Sequence, residues 1–232
     1  MMKVLILVVS ADFPPFDELT KAIKETWASS ELPDVQIYFY YGKNGRNGKK
    51  NTRQDIYFNI KEGYYSLGYK TLKMFRYIKN LNYDYIFRTN SSSYINQSQL
   101  LEFLLDKPRA KFYCGIIPFL SPKFASGCGY FLSRDLVNLV LKNKRLWNHK
   151  LLDDVALGEL LSLLDIPIDN RAKRVDMFGD DGKMLDIENI NVNEHYHFRC
   201  KYPQEKPFVT NNDRSNDINA IKLLNEYFNK VC

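Results

Sequence analysis

The chain has 232 residues, the length of one large domain, and its 45% hydrophobic share with 14% aromatic residues supplies a substantial core, which excludes a disordered chain. Thirty-three Lys and Arg against 27 Asp and Glu leave a net charge of +6. That mild excess suits an anionic small molecule such as a nucleotide, and permits without requiring a nucleic-acid or anionic-membrane partner.

The first apolar run, Val4 to Val9 in "MMKVLILVVSADF", is too short for a membrane span and thin for a signal peptide, so Lys3–Val9 reads as a buried first strand. Residues 17–29 place Leu19, Ala22, Ile23, Thr26 and Trp27 on one helical face. "VQIYFYYG" is a second strand closed by Gly42. The polar stretch "GKNGRNGKKN", with glycines at 42, 45 and 48, fits neither phosphate-loop pattern and reads as a solvated loop. A helix follows over about 62–79, with Leu67, Thr71, Met74 or Phe75, and Ile78 inward.

Residues 83–88 of "NYDYIFRTNSSSYIN" form a strand that runs into a patch of amides and hydroxyls at Asn90, Ser91, Ser92 and Ser93. Asn96 caps a helix through "QSQLLEFLLD", and "KFYCGIIPF" is a strand ended by Pro118. Ser133 caps a helix carrying Leu136, Val137, Val140 and Leu141. Asp153 caps another, carrying Ala156, Leu157, Leu160, Leu161 and Leu164. Residues 217–230 give a last helix with Ile218, Ile221, Leu224 and Phe228 on one face. This alternation predicts an α/β fold, an open and mostly parallel or mixed sheet with helices on both faces, in a single domain over 1–232.

Four cysteines (Cys114, Cys128, Cys200, Cys232) lack C-x-x-C spacing, so neither a zinc site nor a disulfide scaffold is expected. The glycosylation sequons at Asn90 and Asn96 read as chance matches without an export signal. The expectation is a soluble, reduced, cytoplasmic protein with no transmembrane segment.

Three stretches carry candidate chemistry. "LLDDVALGELL" sets Asp153 and Asp154 at the mouth of a helix, where an acid serves as a cap or as a general base toward a hydroxyl. "FASGCGYFLS" holds Gly127 and Gly129, suited either to a tight turn or to close approach of a ligand to the backbone. "HYHFRCKY" puts His195, His197, Arg199 and Lys201 on one parity. They form either an exposed basic edge or, for His197, Arg199 and Lys201, a cluster that neutralises a diphosphate.

Taken in order, several stretches resemble glycosyltransferase family 31, the β-1,3-galactosyltransferase and fringe-like enzymes. "AIKETW" (Ala22–Trp27) is similar to the family's "AIRETW", and "EGYYSLGYKTLK" (Glu62–Lys73) to its "D-x-Y-x-N-L-T-x-K-T". "FRTNSSSYIN" stands where the family has "K-T-D-D-D-V-F-V-N". "SGCGYFLS" resembles "S-G-x-G-Y-V-L-S", and "LDDVALG" resembles "E-D-V-x-x-G". The resemblance implies a GT-A (Rossmann-like) fold and an inverting transferase that moves a sugar from a nucleotide-diphosphate donor, most readily UDP, to a glycan acceptor.

Carried over by position, the resemblance makes Asp154 the catalytic base, with Asp153 beside it. Ser10, Ala11, Asp12, Lys70, Arg88, Asn90, Ser91 and Ser92 would bind the donor. Gly127 and Gly129 would admit acceptor or donor sugar. The sequence departs from the pattern at Asn90, Ser91 and Ser92, which replace the acidic triplet that holds a divalent metal. Nor are the family's membrane anchor and stem expected here. The expectation is therefore a soluble bacterial or viral relative that works without Mn²⁺, with His197, Arg199 and Lys201 meeting the diphosphate. The competing readings are a non-catalytic sugar- or nucleotide-binding relative and, further off, a nucleic-acid-binding protein; no nucleic-acid partner is expected.

Overall fold

An unbroken apolar run is what a strand buried on both faces needs, and every residue of Val4–Val9 is buried. The structure, a computed structural model, describes residues 2–43, 50–118, 124–203 and 213–231. In chain order it contains β1 (Val4–Val9), α1 (Phe16–Glu25), β2 (Val35–Tyr41), β3 (Asp55–Tyr57), α2 (Leu67–Ile78), β4 (Tyr85–Asn90), β5 (Ser93–Ile95) and α3 (Gln97–Phe103). Then come β6 (Tyr113–Gly115), β7 (Gly129–Ser133), α4 (Arg134–Lys142), α5 (Asp153–Leu163), β8 (Arg174–Asp176), β9 (His197–Arg199) and α6 (Ser215–Val231). A short 3-10 turn, Tyr64–Ser66, precedes α2. The polar-loop residues 44–49, with Gly45 and Gly48, lie outside the described residues, as does Cys232.

The chain forms two compact units, each assembled from three pieces of sequence. The first takes Met1–Asp12, Pro33–Asn90 and Lys107–Ala172. Its sheet has the order β3-β2-β1-β4-β7-β6. β1 runs parallel to β2 and β4, β2 parallel to β3, and β7 antiparallel to both β4 and β6. Leu5, Leu7, Tyr40, Ile86 and Leu132 share one core with Met74, Phe75, Val137, Leu157 and Leu161 from α2, α4 and α5. Ile6, Val8, Phe39 and Phe87 are equally buried, which explains why these strands do not alternate with polar residues. Burying each such side chain stabilises by about 1.5–3 kcal/mol. The parallel register sets Val9 opposite Tyr40 and Asn90, so the carboxyl ends of β1, β2 and β4 lie side by side. That is where ligands of open α/β sheets sit.

The second unit takes Phe13–Leu32, Ser91–Asp106 and Lys173–Cys232. Its sheet has the order β5-β9-β8. α6 lays Phe228 against Tyr94 in a stacked pair (5.4 Å, 10°), and Trp27 Nε1 donates to the Ser93 carbonyl at 2.9 Å. Arg214, buried, donates to buried Asp217 and, at 2.6 Å, to the Ser92 hydroxyl.

Several local expectations meet a definite answer. Asn96 caps α3, its side chain accepting from Gln99 N–H at 3.1 Å. Ser133 makes no capping bond to α4: its hydroxyl accepts from Phe112 N–H instead. Asp153 is the first residue of α5 rather than its cap, because its carboxylate is turned away to buried partners described below. The basic edge reading of "HYHFRCKY" is corrected, since β9 is the central strand of its sheet.

Candidate functional site

The first unit brings a buried ionic network to the carboxyl ends of its strands. Arg88, on β4, is buried because both faces of the sheet are covered, and a buried guanidinium must be paired. Its Nη2 contacts Asp153 Oδ2 at 2.6 Å and its Nη1 donates to the Gly127 carbonyl. Thr71 of α2 donates to the same Asp153 oxygen at 2.8 Å, and the Tyr40 hydroxyl lies 3.2 Å from Thr71 Oγ1. Burial works against Arg88's charge. Asp153, with the neighbouring phenols, outweighs it and holds the guanidinium well above its usual range. Asp153 is 2% exposed, so it is a structural anchor closed to solvent.

Asp154 is the other kind of acid. It is half-buried, and its Oδ2 accepts from Gly127 N–H at 2.7 Å while Oδ1 accepts from Val155 N–H at 2.9 Å. Burial, and then the charge of Asp153, push its pKa above the ordinary carboxylate value. A carboxylate shifted that way is a better proton acceptor near neutrality. Gly127 is needed for a steric reason: a Cβ there would fall 2.7 Å from Asp154 Oδ2 and 3.0 Å from Arg88 Nη1. Gly129 opens β7 opposite Thr89. The two residues of "LDDV" therefore divide their roles, Asp153 fixing β4 to α5 and Asp154, half-buried, held against the Gly127 backbone.

Lys70 closes a second buried pair. Its Nζ meets Glu62 at 2.7 Å and donates to the Ser10 carbonyl at 2.9 Å, while Glu62 also accepts from Gly42 N–H. Burial lowers the Lys70 pKa and the Glu62 carboxylate opposes that shift. The pair ties the segments leaving β1 and β2 together, placing Ser10 and Ala11, both buried, and half-buried Asp12 at the strand ends. The sequence points to Thr71 only as an inward helix residue and assigns no site role to it or to Glu62. The local signal for this network is that α2 turns Lys70 and Thr71 to its buried face; Glu62, ahead of α2, carries none.

Asn90 ends β4, half-buried, whereas Ser91 and Ser92 belong to the second unit and are buried. A divalent ion of the kind the resemblance implies wants carboxylate oxygens. This stretch offers an amide and hydroxyls, and the Ser92 hydroxyl already accepts from Arg214. Among the described residues no three His, Cys, Asp or Glu side chains gather in a way that holds an ion. The donor set does not fit such a metal.

The second unit also holds the basic triplet. His197 is fully enclosed, its Nε2 lying 3.0 Å from Ser93 Oγ, and burial with Arg174 and Arg199 nearby drives its pKa well below 6.5. A neutral imidazole adds no charge toward a diphosphate. Arg199 Nη1 pairs with Asp176 at 3.2 Å, and Lys201 is half-buried.

Among the described residues no helix is long and apolar enough to cross a membrane. A family model described as galactosyltransferase matches residues 20–121, which include Lys70, Arg88 and Asn90 but end before Gly127 and Asp154. β-1,3-Galactosyltransferase 1 of Mus musculus, Gorilla gorilla gorilla and Homo sapiens is in each case 26% identical over 199 residues, covering 70% of this chain. The chain spans 61% of the length of these curated relatives. A solved structure, described as that of a glycosyltransferase involved in glycosylation of the major capsid of PBCV-1, matches with a TM-score of 0.56. It is 13% identical, and the match covers 95% of this chain and 99% of that one. The chain thus has a mixed α/β, GT-A-like fold, a central sheet flanked by helices, and is related at low identity to the β-1,3-galactosyltransferases.

Proposed function

We propose that this protein is an inverting glycosyltransferase that moves a hexose from a nucleotide-diphosphate donor, with UDP as the nucleotide, to a hydroxyl of a glycan. The observation that carries this reading is the Asp154 carboxylate: half-open, held by two backbone N–H groups, and raised in pKa beside a buried partner acid. The acceptor oxygen bonds to the anomeric carbon as the bond from that carbon to the diphosphate oxygen breaks. The hydroxyl proton passes to Asp154 and the electron pair leaves with the nucleoside diphosphate. Attack from the face opposite the leaving group inverts the anomeric centre. Arg88 and Asp153 act as positioning residues, because their pairing fixes Gly127 and so the orientation of Asp154. Ser10, Ala11 and Asp12 stand at the strand ends where the donor nucleotide is proposed to sit.

A second reading, a nucleotide-sugar binder without turnover, is favoured by one feature: Asn90, Ser91 and Ser92 where the related enzymes have acids. The two readings separate in one experiment. UDP at a hundredfold excess over its Kd should add about 2.7 kcal/mol of apparent stability under either reading. Only the transferase releases UDP from UDP-hexose and adds the sugar mass to an acceptor, read by mass spectrometry. Stabilisation without sugar release selects the binder, and no stabilisation by UDP, GDP or dTDP removes both.

A further inference from the structure

Near the start of α5 the first unit carries a group of exposed aromatic rings that the ionic network does not use. Tyr64, Tyr65 and Tyr69 are 43%, 78% and 48% exposed. Large aromatic side chains normally bury most of their surface, so three exposed rings within six residues of chain are a surface feature rather than part of a core. Tyr64 and Tyr65 meet edge to face at 5.8 Å. Tyr69 is stacked flat on His149, with ring centroids 3.8 Å apart and planes 10° apart. Burial lowers the His149 pKa, so the stack is formed by a neutral imidazole, and its enclosed Nδ1 has no hydrogen-bond partner among the described residues.

The position of this group follows from contacts at both ends. Thr71, two residues beyond Tyr69, donates to Asp153 at the start of α5, and α2 packs against α5. His149 lies on the segment leading into α5. Burial raises the Tyr64 pKa and the charge of Asp154 adds to that shift, in keeping with the contacts between α2 and α5.

We propose that Tyr64, Tyr65 and the Tyr69–His149 stack form the acceptor subsite, an aromatic shelf that takes the apolar faces of pyranose rings and presents one hydroxyl to Asp154. The choice of acceptor rests on the transferase reading above: whatever lies on Tyr64 and reaches Asp154 is the group that gives up its proton. Pyranose rings suit the shelf chemically, since one face offers C–H groups to an aromatic ring while the edge offers hydroxyls to phenol and carboxylate. Tyr64 and Tyr65 lie on the 3-10 turn that leads into α2, and Tyr69 lies in the first turn of α2, so the exposed rings are spread along this stretch of surface. The shelf is accordingly suited to more than one sugar unit.

The test uses the full chain on an array of β-linked di- and trisaccharides, with glycan retention read independently of turnover and UDP affinity measured in parallel. Tyr65→Ala and Tyr69→Ala should each weaken retention, and raise acceptor KM, by about tenfold, leaving UDP affinity at its wild-type value. Tyr65→Phe and Tyr69→Phe should retain binding, because the ring face is kept. Tyr77→Ala, an exposed ring at the far end of α2, should change nothing. Wild-type protein that retains no array glycan overturns the shelf, as do alanine variants that bind glycans normally, or that lose UDP affinity or self-association instead. Glycan retention through the shelf in a protein that binds no nucleotide keeps this inference and removes the transferase reading. UDP-hexose turnover with unchanged glycan binding in the variants does the reverse.

Discussion

Replacing Gly127 by alanine is expected to damage both the fold and the chemistry. The added Cβ would sit 2.7 Å from Asp154 Oδ2, about 0.7 Å inside the 3.4 Å where ordinary contact begins, and 3.0 Å from Arg88 Nη1. Neither neighbour is a free side-chain tip. Asp154 is held by the Gly127 and Val155 N–H groups, and Arg88 is buried and bonded to Asp153 and to the Gly127 carbonyl. Relieving the contact breaks a charge-assisted hydrogen bond, about 1.5–3 kcal/mol, and adds overpacking of about 1–3 kcal/mol. A stability loss of about 2.5–6 kcal/mol follows, read as a lower midpoint in urea with unchanged slope. Displacing Asp154 by several tenths of an ångström should also cut kcat about a hundredfold. A Gly127→Ala protein within 0.5 kcal/mol of wild type (about the scatter of neutral surface changes) and with normal kcat would refute the close packing of Gly127 on Asp154.

Other expectations follow from the same geometry. Asp153→Ala leaves the Arg88 guanidinium buried without its partner and should cost about 3–5 kcal/mol, measured by urea unfolding, whereas a change at an exposed acid such as Asp181 should not. His197 is held neutral below its unfolded pKa, so its contribution to stability is complete above pH of about 6.5 and is lost as pH falls below that value, at up to about 1.4 kcal/mol per unit; His197→Asn should flatten this slope, and an unchanged slope would place the titration elsewhere. Transfer should continue in excess EDTA, because Asn90, Ser91 and Ser92 give a divalent ion no carboxylate; activity that disappears with chelator and returns with Mn²⁺ would contradict this.

The parts of this fold legible in the sequence are those where one physical signal dominates. β1 is a continuous apolar run and β2 is one broken only at Gln36, because a sheet buried on both faces removes the need for polar alternation. α2, α4 and α6 follow helical spacing closely. β3, β5 and β8, at three residues each, are too short to carry a period. Nor does any composition break mark the two units, because each is assembled from three separate pieces of chain. At the site, Asp154 and Gly127 were readable because a helix mouth and a small-residue turn leave local signatures. The Arg88–Asp153 pair spans 65 residues and leaves none. That pairing also explains why Asp153 does not act as a helix cap: its carboxylate is drawn to a buried guanidinium, a stronger partner than a backbone N–H. "HYHFRCKY" misled for a similar reason. Parity showed which residues share a face, but not that His197 is enclosed against Ser93.

The most direct test of the central claim is the pair of constants measured for Asp154→Asn, kcat for hexose transfer and Kd for UDP. The amide keeps an oxygen for the Gly127 N–H and nearly the same volume, so folding and donor binding should survive. It cannot accept the acceptor's proton, so kcat should fall by about 10²–10⁴-fold with UDP affinity within about twofold of wild type (less than 0.5 kcal/mol). The acid limb of the wild-type pH profile, set by a pKa above the ordinary aspartate value, should vanish with it. A folded Asp154→Asn protein that transfers sugar at the wild-type rate would contradict the account.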